Sequence, residues 1–112
     1  MLTISEYLTH GGRSPFREWL RSLTGPDRGR VQQRVWRFEL GHFGDHKRVA
    51  KGVWEARLMF GPGYRIYFAR DGESVVVLLA GGDKASQASD IRRAQEYWFD
   101  YLREIDRVET KH

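Results

Sequence analysis

Residues Val53 to Lys84, VWEARLMFGPGYRIYFARDGESVVVLLAGGDK, decide the fold of this 112-residue chain. Apolar and polar residues alternate along three segments of the stretch, which predicts three β-strands. Gly61-Pro62-Gly63 and Asp71-Gly72 separate the segments, and both are typical of tight turns between antiparallel strands. The stretch therefore predicts an antiparallel sheet that carries arginines on otherwise hydrophobic strands.

The register of the first two strands gathers charged residues on one face. A hairpin that closes symmetrically on Gly61–Gly63 places Leu58 opposite Ile66 and Arg57 opposite Tyr67. Side chains alternate between the two faces of a strand, so this pairing collects four residues on a single face. These four residues are Glu55, Arg57, Arg65 and Tyr67.

The third strand, residues 74–80, is apolar on both faces. The turn at Asp71-Gly72 returns it alongside the second strand, and we expect Val76 and Leu78 on the arginine face. The core face then receives the remaining apolar residues, Val75, Val77 and Leu79. A strand that is apolar throughout is typical of a sheet with cover on both sides, so the arginine face is only partly open to solvent.

Helical patterns flank the sheet. Ser14-Pro15 pairs an N-cap with proline at the first helical position, and a second helix is predicted over Asp27–Phe43. A basic loop over residues 41–48 follows, and a last helix begins near Ser86 or Ser89. Along the second helix a row of arginines favours a solvated face over a nucleic-acid-binding ridge. The row consists of Arg30, Arg34 and Arg37.

The order of elements is a strand, two helices, three strands and a helix. It predicts one α+β domain over residues 1–112, with an antiparallel sheet, two helices packed on one face and a C-terminal helix.

Composition excludes several classes of protein. The 19 basic and 15 acidic residues give a net charge of +4, which favours an anionic partner. No apolar run is long enough to span a membrane, and the N-terminus has no export signal, so we expect a cytoplasmic protein. Without cysteine there is no disulfide or thiolate site, and the four histidines lack metal-ligand spacing. We therefore expect no metal.

The arginine face has two interpretations. An unpaired buried guanidinium is costly, so the arginines either form ion pairs with Glu55 and Glu73 or bind an external anion. Lys84 is predicted at the same end of the sheet as Arg65, and two such cations suit a phosphate group. Tyr67 adds a ring on which a base can stack.

Four segments of the chain resemble the RelE/ParE toxin superfamily, in particular the addiction-module killer proteins near the HigB branch of type II toxin–antitoxin systems. The segments are Trp54-Glu55-x-Arg57, Gly61-Pro62-Gly63-Tyr64-Arg65-Ile66-Tyr67, Leu78-Leu79-x-Gly81-Gly82-x-Lys84 and Asp90-Ile91-x-x-Ala94. The resemblance covers nearly the whole chain, because the order of elements also agrees.

The resemblance implies an endoribonuclease that cleaves mRNA on the translating ribosome, inhibits translation and uses no cofactor. It also implies a cognate antitoxin of the helix-turn-helix type, with operator DNA bound only through the toxin–antitoxin complex. By motif, Arg65 contacts the scissile phosphate, supported by Arg57 and Lys84.

The other site residues follow from the predicted face. Glu55 stands where RelE has a lysine, and as the carboxylate of this face it is either the general base or the partner that fixes Arg57. We assign RNA contacts to Tyr67 and to the basic residues that precede the sheet. Those basic residues are Lys47, Arg48 and Lys51.

Two alternatives to the nuclease remain. One is a ParE-like inhibitor of DNA gyrase on the same fold, which need not keep the phosphate-binding residues. The other is a non-catalytic module whose arginine face only binds an antitoxin or nucleic acid.

Overall fold

The computed structural model describes the backbone of residues 1–110 and the side chains of residues 1–105. Within these residues the chain forms a five-stranded sheet with helices on both faces. The elements in chain order are β1 (Thr3–Glu6), α1 (Pro15–Ser22), α2 (Gly25–Glu39), β2 (His46–Ala50), β3 (Val53–Arg57), β4 (Arg65–Asp71), β5 (Val75–Gly82) and α3 (Gln87–Thr110). None of the described helices is long and apolar enough to cross a membrane.

The α+β class is confirmed, but the sheet is mixed. Its strands lie in the order β1-β5-β4-β3-β2, and β1 runs parallel to β5 while the other neighbouring pairs are antiparallel. The helices α1 and α2 connect β1, at one edge of the sheet, to β2 at the other edge. The chain then returns through β3 and β4, each antiparallel to the strand before it, until β5 lies alongside β1. The wholly antiparallel sheet expected from the turns is therefore wrong.

β2 is a strand that the sequence analysis places in a loop. Four strands follow α2 rather than three, and β2 pairs with β3 so that Lys47 lies opposite Glu55 and Arg48 opposite Trp54. Charged residues are common on edge strands because they discourage pairing with other chains. They also hide the alternation that marks a strand, which explains the missed element.

α2 ends at Glu39, before the predicted end at Phe43. Gly41 adopts a left-handed conformation with φ +79°. The N–H groups of Gly41 and His42 each donate to a carbonyl of the last helical turn at 2.9 Å. This arrangement is a glycine C-cap, and it satisfies carbonyls that would otherwise lack donors.

β3 and β4 pair two residues away from the predicted register. Arg57 lies opposite Arg65 and Glu55 opposite Tyr67, because the connection spans residues 58–64 and is longer than a tight turn. The predicted pairing of Arg57 with Tyr67 is therefore wrong. A shift of two residues keeps each side chain on its original face, so the predicted face survives the error.

The connection from β4 to β5 reverses the predicted faces of β5. Asp71 pairs with Val75, which leaves a three-residue loop in which Gly72 has φ +69°. Lengthening the loop from the predicted two residues to three moves the side chains of the following strand to the opposite face. The prediction that Val76 and Leu78 share the arginine face is therefore wrong. That face receives Val77 and Leu79 instead.

Each face of the sheet carries its own core. On one face α1 and α2 pack against β4 and β5, as predicted, through Phe16, Leu20, Val31, Phe38, Ile66, Phe68 and Leu78. On the other face α3 covers the sheet, and its Ala94 and Trp98 pack with Tyr67, Val77 and Leu79. Cover on both faces explains why β5 is apolar throughout.

Two adjacent glycines let α1 and α3 approach the end of β5. A Cβ atom at Gly81 would lie 2.0 Å from the ring of Trp19, and one at Gly82 would lie 1.8 Å from the carboxylate of Asp90. We expect Gly81→Ala and Gly82→Ala each to lower the free energy of unfolding by about 2 kcal/mol, because a helix has to move away.

Gly29→Ala is the matched control, since a Cβ atom there meets no atom within 4 Å. Alanine favours a helix interior, so this variant should be neutral or more stable. Urea denaturation of the three variants checks the prediction, and equal losses in all three would contradict it.

Candidate functional site

Two neighbouring rows of residues cross the face that α3 covers. Lys47, Glu55 and Tyr67 lie opposite one another on β2, β3 and β4, and Arg57 lies opposite Arg65 in the next row. Directly paired residues of an antiparallel sheet share a face. The structure therefore brings Glu55, Arg57, Arg65 and Tyr67 to one face, in agreement with the sequence.

The centre of this cluster is a buried ion pair. Glu55 and Tyr67 are fully buried, and Arg65 keeps 7% of its surface exposed. Glu55 Oε2 accepts a hydrogen bond from Gln87 Nε2 at 2.9 Å and lies 3.6 Å from Arg65 Nε. Arg65 Nη1 donates to the carbonyl of Gly63 at 2.7 Å. The pair thus joins β3, β4 and the first turn of α3.

Four buried polar atoms in the cluster have no hydrogen-bond partner among the described residues. They are Glu55 Oε1, Arg57 Nε, Arg65 Nε and the hydroxyl of Tyr67. Burial, and after it the negative charge of Glu55, raises the pKa of Tyr67, so its hydroxyl stays protonated at neutral pH. Because the ring is fully buried, the structure does not place Tyr67 where RNA can stack on it.

Arg57 belongs to a separate and more exposed ion pair. Its Nε lies 3.2 Å from Asp45 Oδ2, and its backbone N–H donates to the carbonyl of Asp45 at 2.8 Å. Glu55 is therefore paired with Arg65, and the prediction that it fixes Arg57 is wrong. Glu73 is not a partner of either arginine, because it lies in the loop at the opposite end of β4.

Arg34 is a structural residue that the sequence analysis misassigns to a solvated face. It is half-buried, and burial lowers the pKa of its guanidinium. The guanidinium donates at 2.9 to 3.2 Å to three backbone carbonyls, those of Phe43, Asp45 and Arg57. Arg34 therefore fixes the connection into β2 and the end of β3.

Lys84 follows β5 and lies at the same end of the sheet as Arg65, which is where the sequence analysis places it. Its backbone N–H donates to the carbonyl of Pro62 at 3.4 Å, and its side chain is exposed. A Cβ atom added to Gly63 would lie 3.2 Å from Arg65 Nη1 and 3.4 Å from Lys84 Cβ. Gly63 thus allows the two basic residues to approach the same loop.

The other predicted RNA contacts are spread over the sheet. Lys47 is exposed and shares the row of Glu55. Arg48 pairs with Trp54 and therefore lies on the opposite face. Lys51 lies in the turn between β2 and β3, at the end of β3 away from Arg57. Of these three lysine and arginine residues, the structure brings only Lys47 to the cluster.

The sequence analysis missed two partners of the charged cluster, Gln87 and Asp45, because they are distant in sequence from the residues they bind. Gln87 is 32 residues from Glu55, and Asp45 is 12 residues from Arg57. No motif spacing connects such positions. The pairing of β2 with β3 and the return of α3 across the sheet bring them together.

Comparison with known proteins finds a similar bacterial protein. No family model matches the chain. A protein of Haemophilus influenzae, described as uncharacterized, is 38% identical over 81 residues, which cover 71% of this chain and 82% of the relative. Its description names no activity, so the function has to be inferred from the site.

The buried pair gives a prediction about stability. Glu55→Ala leaves Arg65 buried without its carboxylate, and we expect a loss of about 3 kcal/mol in the free energy of unfolding. The double variant Glu55→Ala with Arg65→Met should recover much of this loss, because no charge then remains buried. Urea denaturation of Glu55→Ala, Arg65→Met and the double variant checks the coupling.

Arg57→Ala is the control for a more exposed pair, and it should change stability little. If the two single losses at positions 55 and 65 simply add in the double variant, the residues are not coupled and the buried pair is not a unit.

Proposed function

The chain belongs to the same family as that Haemophilus influenzae protein, and we propose that it is the toxin of a type II toxin–antitoxin system, an endoribonuclease that cleaves mRNA and stops translation. The observation that carries the proposal is the approach of Arg65 and Lys84 to the loop at Gly63. Two cations at one end of a sheet suit a phosphate group. The resemblance of the flanking segments to the RelE/ParE superfamily supports the choice of RNA as the substrate.

A nuclease of this kind needs little chemistry from its own side chains. RNA carries its own nucleophile, the 2′-hydroxyl, which attacks the neighbouring phosphorus and displaces the 5′-oxygen. The products are a 2′,3′-cyclic phosphate and a 5′-hydroxyl. Under this proposal Arg65 and Lys84 stabilise the negative charge that develops on the phosphate, and Arg57 supports them from β3. Such a mechanism requires no metal and no cofactor.

Glu55 serves as a positioning residue in this proposal rather than as a general base. Its carboxylate is fully buried and is held by Gln87 and Arg65. A base has to reach the proton that it removes, and this carboxylate is sealed beneath α3. Its charge instead keeps Arg65 at the end of β4.

Access to Arg65 requires a movement in the protein. The side chain is almost fully covered, and its Nη1 is already bonded to the carbonyl of Gly63. For a phosphate to bind the whole guanidinium, the loop at Gly63 or the first turn of α3 has to shift. Lys84 is exposed and can meet the phosphate first.

The partners of the proposed toxin are mRNA on the ribosome and a cognate antitoxin of the helix-turn-helix type, with operator DNA bound only through their complex. An exposed apolar surface on α2 supports a protein partner. Trp36 of α2 is 68% exposed and Leu40, the residue after the helix ends, is 60% exposed, which is unusual for large apolar side chains.

A second candidate is a protein that binds its target without cleaving RNA, such as an inhibitor of DNA gyrase. The burial of Arg65 favours it, because the ion pair with Glu55 already gives the arginine a structural role. The exposed position of Lys84 beside it favours the nuclease.

The proposal predicts that Lys84→Ala abolishes growth arrest when the chain is expressed in bacteria. Removal of one charge stabiliser typically lowers the rate about a hundredfold. Lys84 has an exposed side chain that forms no ion pair among the described residues, so the variant should fold normally, as circular dichroism can verify. Arg65→Lys should also lose activity, because lysine cannot reproduce the planar guanidinium.

Lys51→Ala is the control: the sequence predicts that Lys51 contacts RNA, but the structure places this exposed basic residue at the end of β3 away from the proposed phosphate site. It should arrest growth like the parent chain. Full toxicity of a folded Lys84→Ala protein would contradict the proposed site.

A further inference from the structure

A groove lies beside Lys84, at the outer edge of β5. Its volume is about 520 Å³, which falls within the range of small-ligand sites. The pairing of β1 with β5 ends at Leu78, so the last residues of β5 have no strand on their outer side among the described residues. Gly81 and Gly82 form the floor, and α1 and α3 form the two walls.

Each wall carries a partly exposed aromatic ring that is already held in place. Trp19 of α1 meets the edge of Tyr64, with their ring centroids 5.9 Å apart. Tyr97 of α3 stacks on Tyr7 at a centroid distance of 5.0 Å. Rings that are fixed before binding lose little entropy when a flat ligand packs against them. Nucleobases stack on such rings in many single-stranded RNA complexes.

The polar groups of the groove include both an acceptor and a donor. Asp83 Oδ1 accepts a hydrogen bond from the backbone of Ser86 at 3.1 Å, while Oδ2 accepts none from the described residues. Arg93 has a side chain that is 63% exposed, and its one ion pair, with Asp90, is long at 3.9 Å. A carboxylate oxygen without a donor among the described residues and an exposed, weakly paired guanidinium therefore line the same groove.

This charge pattern distinguishes a base from a phosphate or an acidic peptide. Asp83 and Asp90 repel anions, so a phosphate group is better placed at Lys84 and Arg65, outside the groove. A neutral base can enter instead. Guanine presents two N–H donors, at N1 and N2, next to an acceptor at O6. The donors suit the carboxylate of Asp83 and the acceptor suits Arg93.

We propose that this groove binds a guanine base of the RNA next to the scissile phosphate and so sets the sequence preference of cleavage. The inference rests on the proposed function for the identity of the RNA, but binding of the base alone does not require cleavage. Pro62 lines the groove and bonds through its carbonyl to Lys84, so the base site and the phosphate site adjoin.

The test is a titration of the ¹⁵N-labelled chain with nucleosides, which carry no phosphate. Guanosine should shift the amide signals of Gly81, Gly82 and Asp83 and the side-chain signal of Arg93. Inosine lacks the 2-amino group and should bind more weakly, as should adenosine and uridine. Asp83→Asn should weaken guanosine binding about tenfold, because a hydrogen bond to a charged acceptor is lost. Asparagine keeps an oxygen that can accept from Ser86, so this variant should remain folded.

Arg92→Ala is the matched control, because Arg92 is exposed on α3 but does not line the groove. It should leave guanosine binding unchanged. The proposal is overturned if no nucleoside shifts the groove signals, or if all four nucleosides bind equally in both the parent chain and Asp83→Asn. It is also overturned if a capped tetra-alanine peptide shifts these signals and guanosine does not, since the groove would then pair with an extended protein segment.

The titration tests the base site and the toxicity test examines the nuclease site, so either proposal can be contradicted without the other. If Lys84→Ala stays toxic while guanosine binds, the proposed nuclease site is wrong and the base site stands. If Lys84→Ala is inactive while guanosine does not bind, the nuclease site stands and the groove has no role in base recognition.

Discussion

The buried contact between Glu55 and Arg65 is the interaction on which the rest of the structure depends. A carboxylate and a guanidinium can stay inside a small domain only if each compensates the other. This requirement fixes the register of β3 against β4, and it draws Gln87, at the start of α3, onto the sheet. Position 82 then requires glycine, because Asp90 of the same helix lies against it.

Much of the fold could be predicted from the sequence because its signals are local. Ser14 caps α1 as expected, with its hydroxyl accepting from the backbone of Arg17 at 3.0 Å, and the face of Glu55 and Arg65 survived a register error of two residues. The sequence does not distinguish a three-residue loop after Asp71 from a two-residue turn, and the longer loop exchanges the two faces of β5. The edge strand β2 was hidden by its charges. The partners of both ion pairs lie too far along the chain for spacing to reveal them.

The candidate site separates charge by location. Cations stand at the end of the sheet, where Lys84 is exposed and Arg65 approaches the surface at Gly63. The adjoining groove holds the carboxylates of Asp83 and Asp90 together with the guanidinium of Arg93, and this mixed lining suits a neutral base better than a phosphate. The α3 helix contributes to both places. Gln87 in its first turn binds Glu55, the partner of Arg65, and its next turn carries Arg93 of the groove. A substrate with alternating anionic and neutral aromatic parts matches this division, and single-stranded RNA has that composition.

The end groups of cleaved RNA test the central claim most directly. The chain should be expressed in bacteria, and new 5′ ends in the cellular RNA should be mapped with and without prior phosphorylation. Attack by the 2′-hydroxyl leaves 5′-hydroxyl ends, so the account predicts new ends that become ligatable only after phosphorylation. New ends that carry 5′-phosphates would contradict this chemistry. Intact RNA accompanied by DNA breaks would contradict the nuclease altogether.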